Sequence, residues 1–588
     1  MFLRYTKRKK NGKEHRYWSI VENKRCAGGK IVQRHVLYLG EINDQQQASW
    51  RKSIEIFEHG QPKPRTVALF PEDRVVEAEG HEIVRIKLSD LQLHHPRQWG
   101  ACWLAHLLYE ELQLDGFWAQ RLPPSRKGTR WDLVLETLCA YRLIDPGSEW
   151  RLHRQWFERS AMGDLLGADF AQLAESHKLY NCHDLILKHK PALFDHLTER
   201  WKDLFNAQFD VLLYDLTSSY FESDPPFPEG DKRKFGYSRD KRSDCVQVVI
   251  GLIVTPEGFP LAYEVMAGNT SDKTTLKGFL KKIEEQYGKA QRIWIMDRGI
   301  PTEETLQEMR QSDPPVLYLV GTPKGRLSTL EKKLSEVPWK KARAGVEVKL
   351  VAQEGEVYVL AKSLDRVNKE RGMRRRQVKW LWKRLHEIQE MEIKREELLM
   401  KLGAARQQAP KGWKLVKVKL PKGQESFKFT LRKDKLREVR KREGRYLLRS
   451  NMPKRSPEKL WEFYLQLVQV EEAFKHLKGD LALRPFHHQK EARIEAHVFV
   501  AFLAYCLQVT LARRLRDLAP GLTARSVLEK LAGIQMIDVH LPTTDGREVI
   551  LTRYTHPEPD QQLLLEKLKL KLPAQPPPKI TAPHHAAQ

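Results

Sequence analysis

"FDVLLYD", residues 209–215, changes the period of the chain. Upstream of it apolar residues recur at helical spacing; here they form an almost unbroken run that ends in Asp215. Two similar runs follow, "CVQVVIGLIVT" (245–255) and "FPLAYEVMAG" (259–268), then a helical "TTLKGFLKKIEEQYG" (274–288), then "RIWIMD" (292–297) ending in Asp297. Short continuous apolar runs bounded by turn residues are the signature of strands buried on both faces. Three strands, a helix and a further strand predict a mixed α/β core. Ligands gather near strand ends in such sheets, which singles out Asp215 and Asp297, although one aspartate alone is most often a turn or cap residue.

Outward from that core, residues 1–40 give strand-like runs, "FLRYT", "HRYWSIVE" and "KIVQRHVLYLG", separated by basic or glycine-containing turns. From 42 to 205 the pattern is mostly helical, as in "WGACWLAHLLYEELQLDGFWAQRL". Between 322 and 450, "GVEVKLVA", "VYVLA" and "RYLLRS" read as strands and "KLVKVKLPKGQESFKFTLR" as a hairpin. Residues 366–402 read as a charged helix or helical pair. Within it "RVNKERGMRRRQVKWLWKRL" carries nine basic residues with Trp380 and Trp382 among them. A charge run is usually a solvated face; interleaved aromatics favour a nucleic-acid groove, with Arg374, Arg375 and Arg376 as contacts. The segment beyond about 570 is proline-rich and reads as disordered. The expected division is a basic β-sheet segment (1–60), a helical domain (61–205), a first core half (206–321), an insertion (322–450), a second core half (451–545) and a tail (546–588).

The second core half opens with a helix. Ser456-Pro457 caps it, Gly479 closes it, and it is roughly 33 Å long at 1.5 Å per residue. In "YLQLVQVEEAFKHLKGD" (464–480), Leu467, Val470, Phe474, Leu477 and Leu481 make one apolar stripe. Tyr464, Glu471 and Lys478, spaced by sevens, line one border of it, so Glu471 faces inward and Glu472 faces solvent. The plainer reading of Glu471 is a half-wet border residue paired with Lys475 or Lys478.

Composition narrows the partner. The 588 residues suit several domains, and 102 Lys and Arg against 76 acids give a net charge of +26, which fits a polyanion. A membrane is the rival polyanion, but no signal pattern follows "MFLRYTKRKK", and the most apolar stretch, 496–512, is interrupted by His497, Gln508 and Thr510 and reads as a buried helix. The six cysteines form no CxxC pair, so neither a zinc module nor a disulfide framework is encoded, and a cytoplasmic, reduced setting is expected. No glycine loop for nucleotide phosphates occurs.

Two aspartates at strand ends and an inward glutamate from a helix would form an oxygen-rich metal site of the kind Mg²⁺ favours. Two such ions serve phosphodiester cleavage by activating the attacking oxygen and stabilising the leaving one. Adjacent His487 and His488 point to opposite sides of an extended segment and read as structural rather than metal-binding, with Arg484 and His488 as candidate phosphate contacts.

Taken in order, these residues resemble a DDE transposase of bacterial insertion sequences, in the subgroup marked by Y-x2-R-x3-E-x6-K. Tyr464, Glu471 and Lys478 fall at that spacing, with Leu467 where the signature has Arg. "YDLTSSYFE", "GYSRDKRSDCVQVVIGL", "GNTSDKTTL" and "IMDRGI" resemble the family's other segments, and "LIDPGSEWRLHRQW" is more weakly similar. The resemblance implies an RNase H-like core interrupted by an insertion domain between Asp297 and Glu471. It implies Asp215, Asp297 and Glu471 as catalytic ligands of two Mg²⁺ ions, with Mn²⁺ able to substitute, for end cleavage and strand transfer into target DNA. Tyr464 and Lys478 would position end phosphates, and Arg239, Lys241 or Arg242 would replace the signature's missing Arg. The implied partners are terminal inverted repeats, read by the N-terminal domains, target DNA, and a second copy in a homodimeric synaptic complex. Two other readings stay open at this point: an RNase H-like nuclease or resolvase without strand transfer, and a non-catalytic DNA-binding remnant.

Overall fold

Strands form where the apolar runs predict them. The computed structural model describes the chain except residues 11–12, 26–30, 45, 49, 52–84, 126–127, 224, 241, 289–290, 323–329, 331–335, 354, 421–426, 485, 487 and 582–588. The N-terminal runs form β1 (Phe2–Lys10), β2 (Lys13–Arg25) and β3 (Ile31–Gly40), with β2 and β3 antiparallel. After β4 (Gln92–Gln98) come helices of which the longest are α1 (Gly100–Glu111), α2 (Trp131–Ile144), α3 (Ser176–Ile186) and α4 (Lys190–Phe205). The α/β segment follows as β5 (Val211–Phe221), β6 (Val246–Val254), β7 (Pro260–Ala267), α5 (Asp272–Tyr287), β8 (Ile293–Met296), α6 (Glu303–Gln311) and β9 (Leu317–Thr322).

Beyond it lie β10 (Lys340–Arg343), β11 (Val346–Gln353), β12 (Glu356–Ser363), α7 (Leu364–Gln389), α8 (Arg395–Gln408), β13 (Val416–Lys419), β14 (Lys428–Leu431) and β15 (Arg445–Ser450). The last elements are α9 (Pro457–Leu465), α10 (Val468–Lys478), α11 (Glu491–Leu518), β16 (Gln535–Pro542), β17 (Glu548–Tyr554), α12 (Pro559–Lys567) and β18 (Lys579–Ile580). The chain divides into two compact units: Met1–Thr6, Arg16–Ala290 and Val468–Gln588 in one, Lys7–His15 and Gln291–Leu467 in the other.

In the first unit β5, β6 and β7 pair antiparallel. One face carries α5: a Cβ on Gly251 would lie 2.7 Å from the Phe279 ring, so only glycine admits this approach, and the Tyr214 hydroxyl donates to Thr275 Oγ1 at 2.8 Å. Side chains alternate along a strand, and cross-strand partners share a face. Asp215, Leu252 and Tyr263 are such partners, and Tyr263 packs on Phe499 and Phe502 of α11. Asp215 therefore faces the layer that holds α11, against which α10 also packs. α11 is long and apolar enough to cross a membrane, yet 94% of its apolar window is buried, between that sheet face and α2 and α3. It is the buried helix the sequence predicts.

The second unit holds a mixed sheet of order β10-β11-β12-β15-β9-β8, parallel only between β8 and β9. β10, β11, β12 and β15 thus extend the sheet of β9, while β13 and β14 pair only with each other. The insertion's helices α7 and α8 and the hairpin β13–β14 close a separate small core around Leu381, Leu385, Ile388, Leu402 and Phe427.

Four expectations change. The helix of 457–479 is two helices, because Gln466 and Leu467 turn back to Phe463 and Tyr464 with three-residue hydrogen bonds that break the ladder. Asp215 lies inside β5 rather than at its end: the strand continues through Thr217, Ser218 and Ser219, small enough to be buried. "QLHHPRQ", inside the helical stretch, is β4, an edge strand paired with β16. The C-terminal segment is ordered through Thr581, with β18 pairing β17 in a sheet of order β18-β17-β16-β4.

Candidate functional site

The four residues of β8 are buried, and Asp297 is the first to emerge, exposed. Its Oδ1 accepts from the backbone N–H of Arg298 at 2.7 Å and lies 3.4 Å from the Tyr464 hydroxyl. Ser456 caps α9 through Lys459 N–H, and the buried Leu460 and Trp461 seat the helix so that Tyr464 reaches this corner. Gly321 on β9 leaves the room: a Cβ there would sit 2.9 Å from the Tyr464 hydroxyl and 3.3 Å from Asp297 Oδ1. Burial, and then the Asp297 charge, push the Tyr464 hydroxyl above its ordinary range, so it stays protonated and donates.

In the other unit, Asp215 is half-buried on β5, and α10, which carries Glu471, packs on β5 and β6. Val470, Phe474 and Leu477 are buried, as the stripe predicts, and Ala473 is buried beside them. Glu471 is nevertheless exposed rather than inward, and Glu472 is exposed too. At about 100° per residue Glu471 sits roughly 110° from the centre of that buried face and Glu472 roughly 150°, both outside a stripe about 100° wide.

Lys478 meets Asp240: its Nζ is 3.1 Å from Asp240 Oδ1, and Arg484 Nη1 is 2.5 Å from Asp240 Oδ2. Burial lowers the Lys478 ammonium, against the opposing pull of Asp240. Arg239 binds Asp272 at 2.6 Å, and Arg242 binds Glu222 and Asp244 at 3.0 Å each. Lys241 and His487 lie outside the described residues. Asp240, the acid between two cations, was not singled out from the sequence, although the alternation in "GYSRDKRSD" holds it; nothing in the sequence marks Gly321.

Of the basic run on α7, Arg375 and Arg376 are exposed, whereas Arg374 is turned against Glu443, which Arg371 also reaches at 3.3 Å. Trp380 is exposed, and Trp382 is half-buried against the helical core.

His488 is buried rather than open to a phosphate. Its Nε2 lies 3.3 Å from Glu149 Oε1, which His183 Nε2 approaches at 3.1 Å and His497 Nδ1 at 3.7 Å. Among the described residues Glu149, His488 and His497 alone have metal-ligand spacing. The Arg142 guanidinium stands 3.5 Å from His497 Nδ1 and 3.8 Å from Glu149 Oε1, while His497 Nε2 faces the Leu483 carbonyl. That arrangement puts the Nε2 proton on His497 and gives its Nδ1 lone pair to Arg142, leaving a cation where a metal would have to sit. The cluster is a buried ion network joining the α2–α3 region to α11. By contrast Asp215, Asp297 and Glu471 are accessible or half-accessible hard oxygen donors, the type a divalent Mg²⁺-like ion takes.

Residues 207–507 match the family described as a transposase DDE domain, and residues 3–58 match the N-terminal domain of IS1634 family transposases. No curated protein matches the chain. Among solved structures, the cryo-EM structure of a piggyBac transposase synaptic complex with hairpin DNA is similar at 8% identity and a TM-score of 0.33, over 74% of this chain and 78% of that one, a likeness too low to carry any reading here.

Proposed function

The chain belongs to the DDE transposases, and we propose that it cleaves insertion-sequence ends and transfers them to target DNA through Asp215, Asp297 and Glu471. DNA cleavage and strand transfer are the family's activities, and divalent metal ions its general requirement. The finer reading is that the three carboxylates hold two Mg²⁺ ions within an RNase H-like core. Bound there, such ions supply a nucleophilic oxygen and charge stabilisation at the leaving oxygen.

The chain's own residues prepare the site. Tyr464 and the Arg298 N–H hold one oxygen of Asp297, fixing the carboxylate's rotation. Asp240 holds the Lys478 ammonium and the Arg484 guanidinium side by side, a paired cationic head suited to one phosphate of the DNA end. Arg484, rather than Arg239 or Arg242, thereby offers the charge that Leu467 does not supply. Arg375 and Arg376 track the backbone further out. The N-terminal sheet and helices read the inverted repeats, and two copies form the synaptic complex. Four of the five described cysteines are buried thiols, which suits a reducing cytoplasm.

The observation that carries the residue assignment is the contact of Tyr464 with Asp297: the tyrosine of the Y–E–K spacing meets the second aspartate. The test is incubation of the protein with the DNA flanking its coding region and Mg²⁺. Nicks at the repeat ends and joined products support the reading; intact DNA with and without Mn²⁺ overturns it.

A further inference from the structure

A helix in a folded domain ordinarily buries an apolar stripe, but the helix Lys433–Arg442, between β14 and β15, buries no side chain. Its sequence, "KDKLREVRKR", holds six cations, two acids and two apolar residues, a net charge of +4. The fold nevertheless pins both of its ends. Ahead of it the Arg432 N–H donates to the Leu415 carbonyl at 2.8 Å. Behind it the buried Glu443 meets Arg371 of α7 at 3.3 Å, and the Gly444 N–H donates to Glu370 Oε2 of α7 at 2.9 Å. Gly444 has a φ of +70°, and a Cβ there would lie 2.2 Å from Val367 Cγ2, so only glycine lets the turn lie flush against α7. The helix is held in place without a core of its own.

The charges on it are sorted. At about 100° per residue, Lys433, Arg437, Arg440 and Lys441 share one stripe roughly 100° wide and roughly 12 Å long, with Asp434 and Glu438 beyond one border and Leu436 and Val439 beyond the other. All four cations are exposed, and none forms an ion pair with another described residue. Burial, and then the like charge of Arg440, lower the Arg374 guanidinium of α7, so the cations of the two helices crowd together. Such crowding opposes folding and is relieved by a polyanion. A membrane surface does not fit, because Leu436 is half-buried and leaves no apolar face to insert. An acidic protein surface would find no aromatic anchor in the stripe, whereas duplex DNA offers one phosphate charge per about 1.7 Å of its axis.

We propose that Lys433, Arg437, Arg440 and Lys441 form a sequence-blind docking surface for the backbone of duplex target DNA. The proposal rests on the transposase reading above and adds to it where the second DNA substrate is held. Phosphate contacts position a duplex without reading it, and the stripe carries no amide or hydroxyl side chain that would read a base edge. A grip of that kind suits a substrate of arbitrary sequence, whereas the inverted repeats are one fixed sequence.

The test uses the full chain, an unrelated duplex as target and the DNA flanking the coding region as the element end. The quadruple variant Lys433→Gln, Arg437→Gln, Arg440→Gln, Lys441→Gln should bind the unrelated duplex about 10-fold or more weakly at ~0.1 M salt, with a salt slope shallower by about three. Cleavage at the element end should stay near the wild-type rate, while joining of pre-cleaved ends to the unrelated duplex falls about as far as the binding does and recovers at higher target concentration. The charge-keeping variant Lys433→Arg, Arg437→Lys, Arg440→Lys, Lys441→Arg should behave as wild type, and both variants should keep the wild-type thermal midpoint to within a few degrees. Unchanged affinity and slope in the quadruple Gln variant would return the stripe to a solvated face and overturn the proposal while leaving the transposase reading intact. An equal loss of end cleavage would place the stripe on the element end and overturn the target assignment. A wild type that neither cuts nor joins the flanking DNA would overturn the transposase reading and the target assignment with it.

Discussion

The Tyr464 hydroxyl stands 3.4 Å from Oδ1 of Asp297, over a glycine at 321 that leaves space for both. A hydrogen bond to a charged group contributes about 1.5–3 kcal/mol, and every 1.4 kcal/mol is tenfold. Tyr464→Phe should therefore slow single-turnover end cleavage by roughly 10- to 100-fold with little change in DNA affinity. Gly321→Ala should give a similar loss by displacing the hydroxyl. Wild-type rates in both variants would remove Tyr464 from the site.

The basic helix α7 should separate into two behaviours. Arg375 and Arg376 are exposed, so Arg375→Ala with Arg376→Ala should weaken binding to any duplex and reduce the salt slope by about one unit per lost phosphate contact. Arg374 faces Glu443, which is only 5% exposed. Arg374→Ala should instead lower the thermal midpoint, by an amount equivalent to about 1–3 kcal/mol, because it strips a partner from a buried carboxylate. Isothermal binding at several salt concentrations and thermal melts distinguish the two.

The buried network of Glu149, Arg142, His183 and His497 should make the fold acid-sensitive. Burial, then the Arg142 charge, lower His497 to about 3, and burial lowers His183 as well. Burial alone would raise Glu149, but hydrogen bonds, those of His183 and His488 foremost, outweigh it and hold the carboxyl well below its usual range. An unfolded histidine titrates near 6.5, so between about pH 6.5 and 3 the unfolded chain binds the proton that folded His497 refuses. The contribution of neutral His497 is complete above that window and falls as the pH drops through it. Glu149 adds to the acid loss below about pH 4.3, its unfolded value. Thermal midpoints measured from pH 7 to 4 should decline, and His497→Gln should flatten the decline; an equally steep slope in the variant would exclude His497 as its source.

How much of this was legible in the sequence follows from how local each signal is. Strands β6 and β8 read directly because both faces are buried and every position but Gln247 is apolar or glycine, and the hairpin β13–β14 reads from alternation. Asp297 reads as strand-terminal because Arg298 and Gly299 follow it and end the apolar run. Asp215 does not, because the polar Thr217, Ser218 and Ser219 that suggest an end are buried by tertiary packing, with Ser218 Oγ accepting from Arg239 N–H. The break at Gln466 and Leu467 carries neither Gly nor Pro, so periodicity runs straight across it. The partners Asp240 and Lys478, 238 positions apart, meet only through the fold.

The adjacent pair Glu471 and Glu472 offers the sharpest test of the chemistry. Both are exposed on α10, but Glu471 is the nearer of the two to the buried face, and that face packs on the strand bearing Asp215. Glu471→Gln and Asp297→Asn keep the shape of each side chain and remove the charge that draws a divalent ion, so end binding should persist while cleavage falls by orders of magnitude. Glu472→Gln removes the same charge one position along and should cut at nearly the wild-type rate. Since the two glutamates are chemically identical, only their position on the helix can separate them, and neither change is expected to disturb folding at a surface position. Loss of cleavage with Glu472→Gln and not with Glu471→Gln would move the third ligand to Glu472. Retained cleavage in Asp297→Asn and Glu471→Gln alike, with an active wild type, would eliminate the three-carboxylate mechanism.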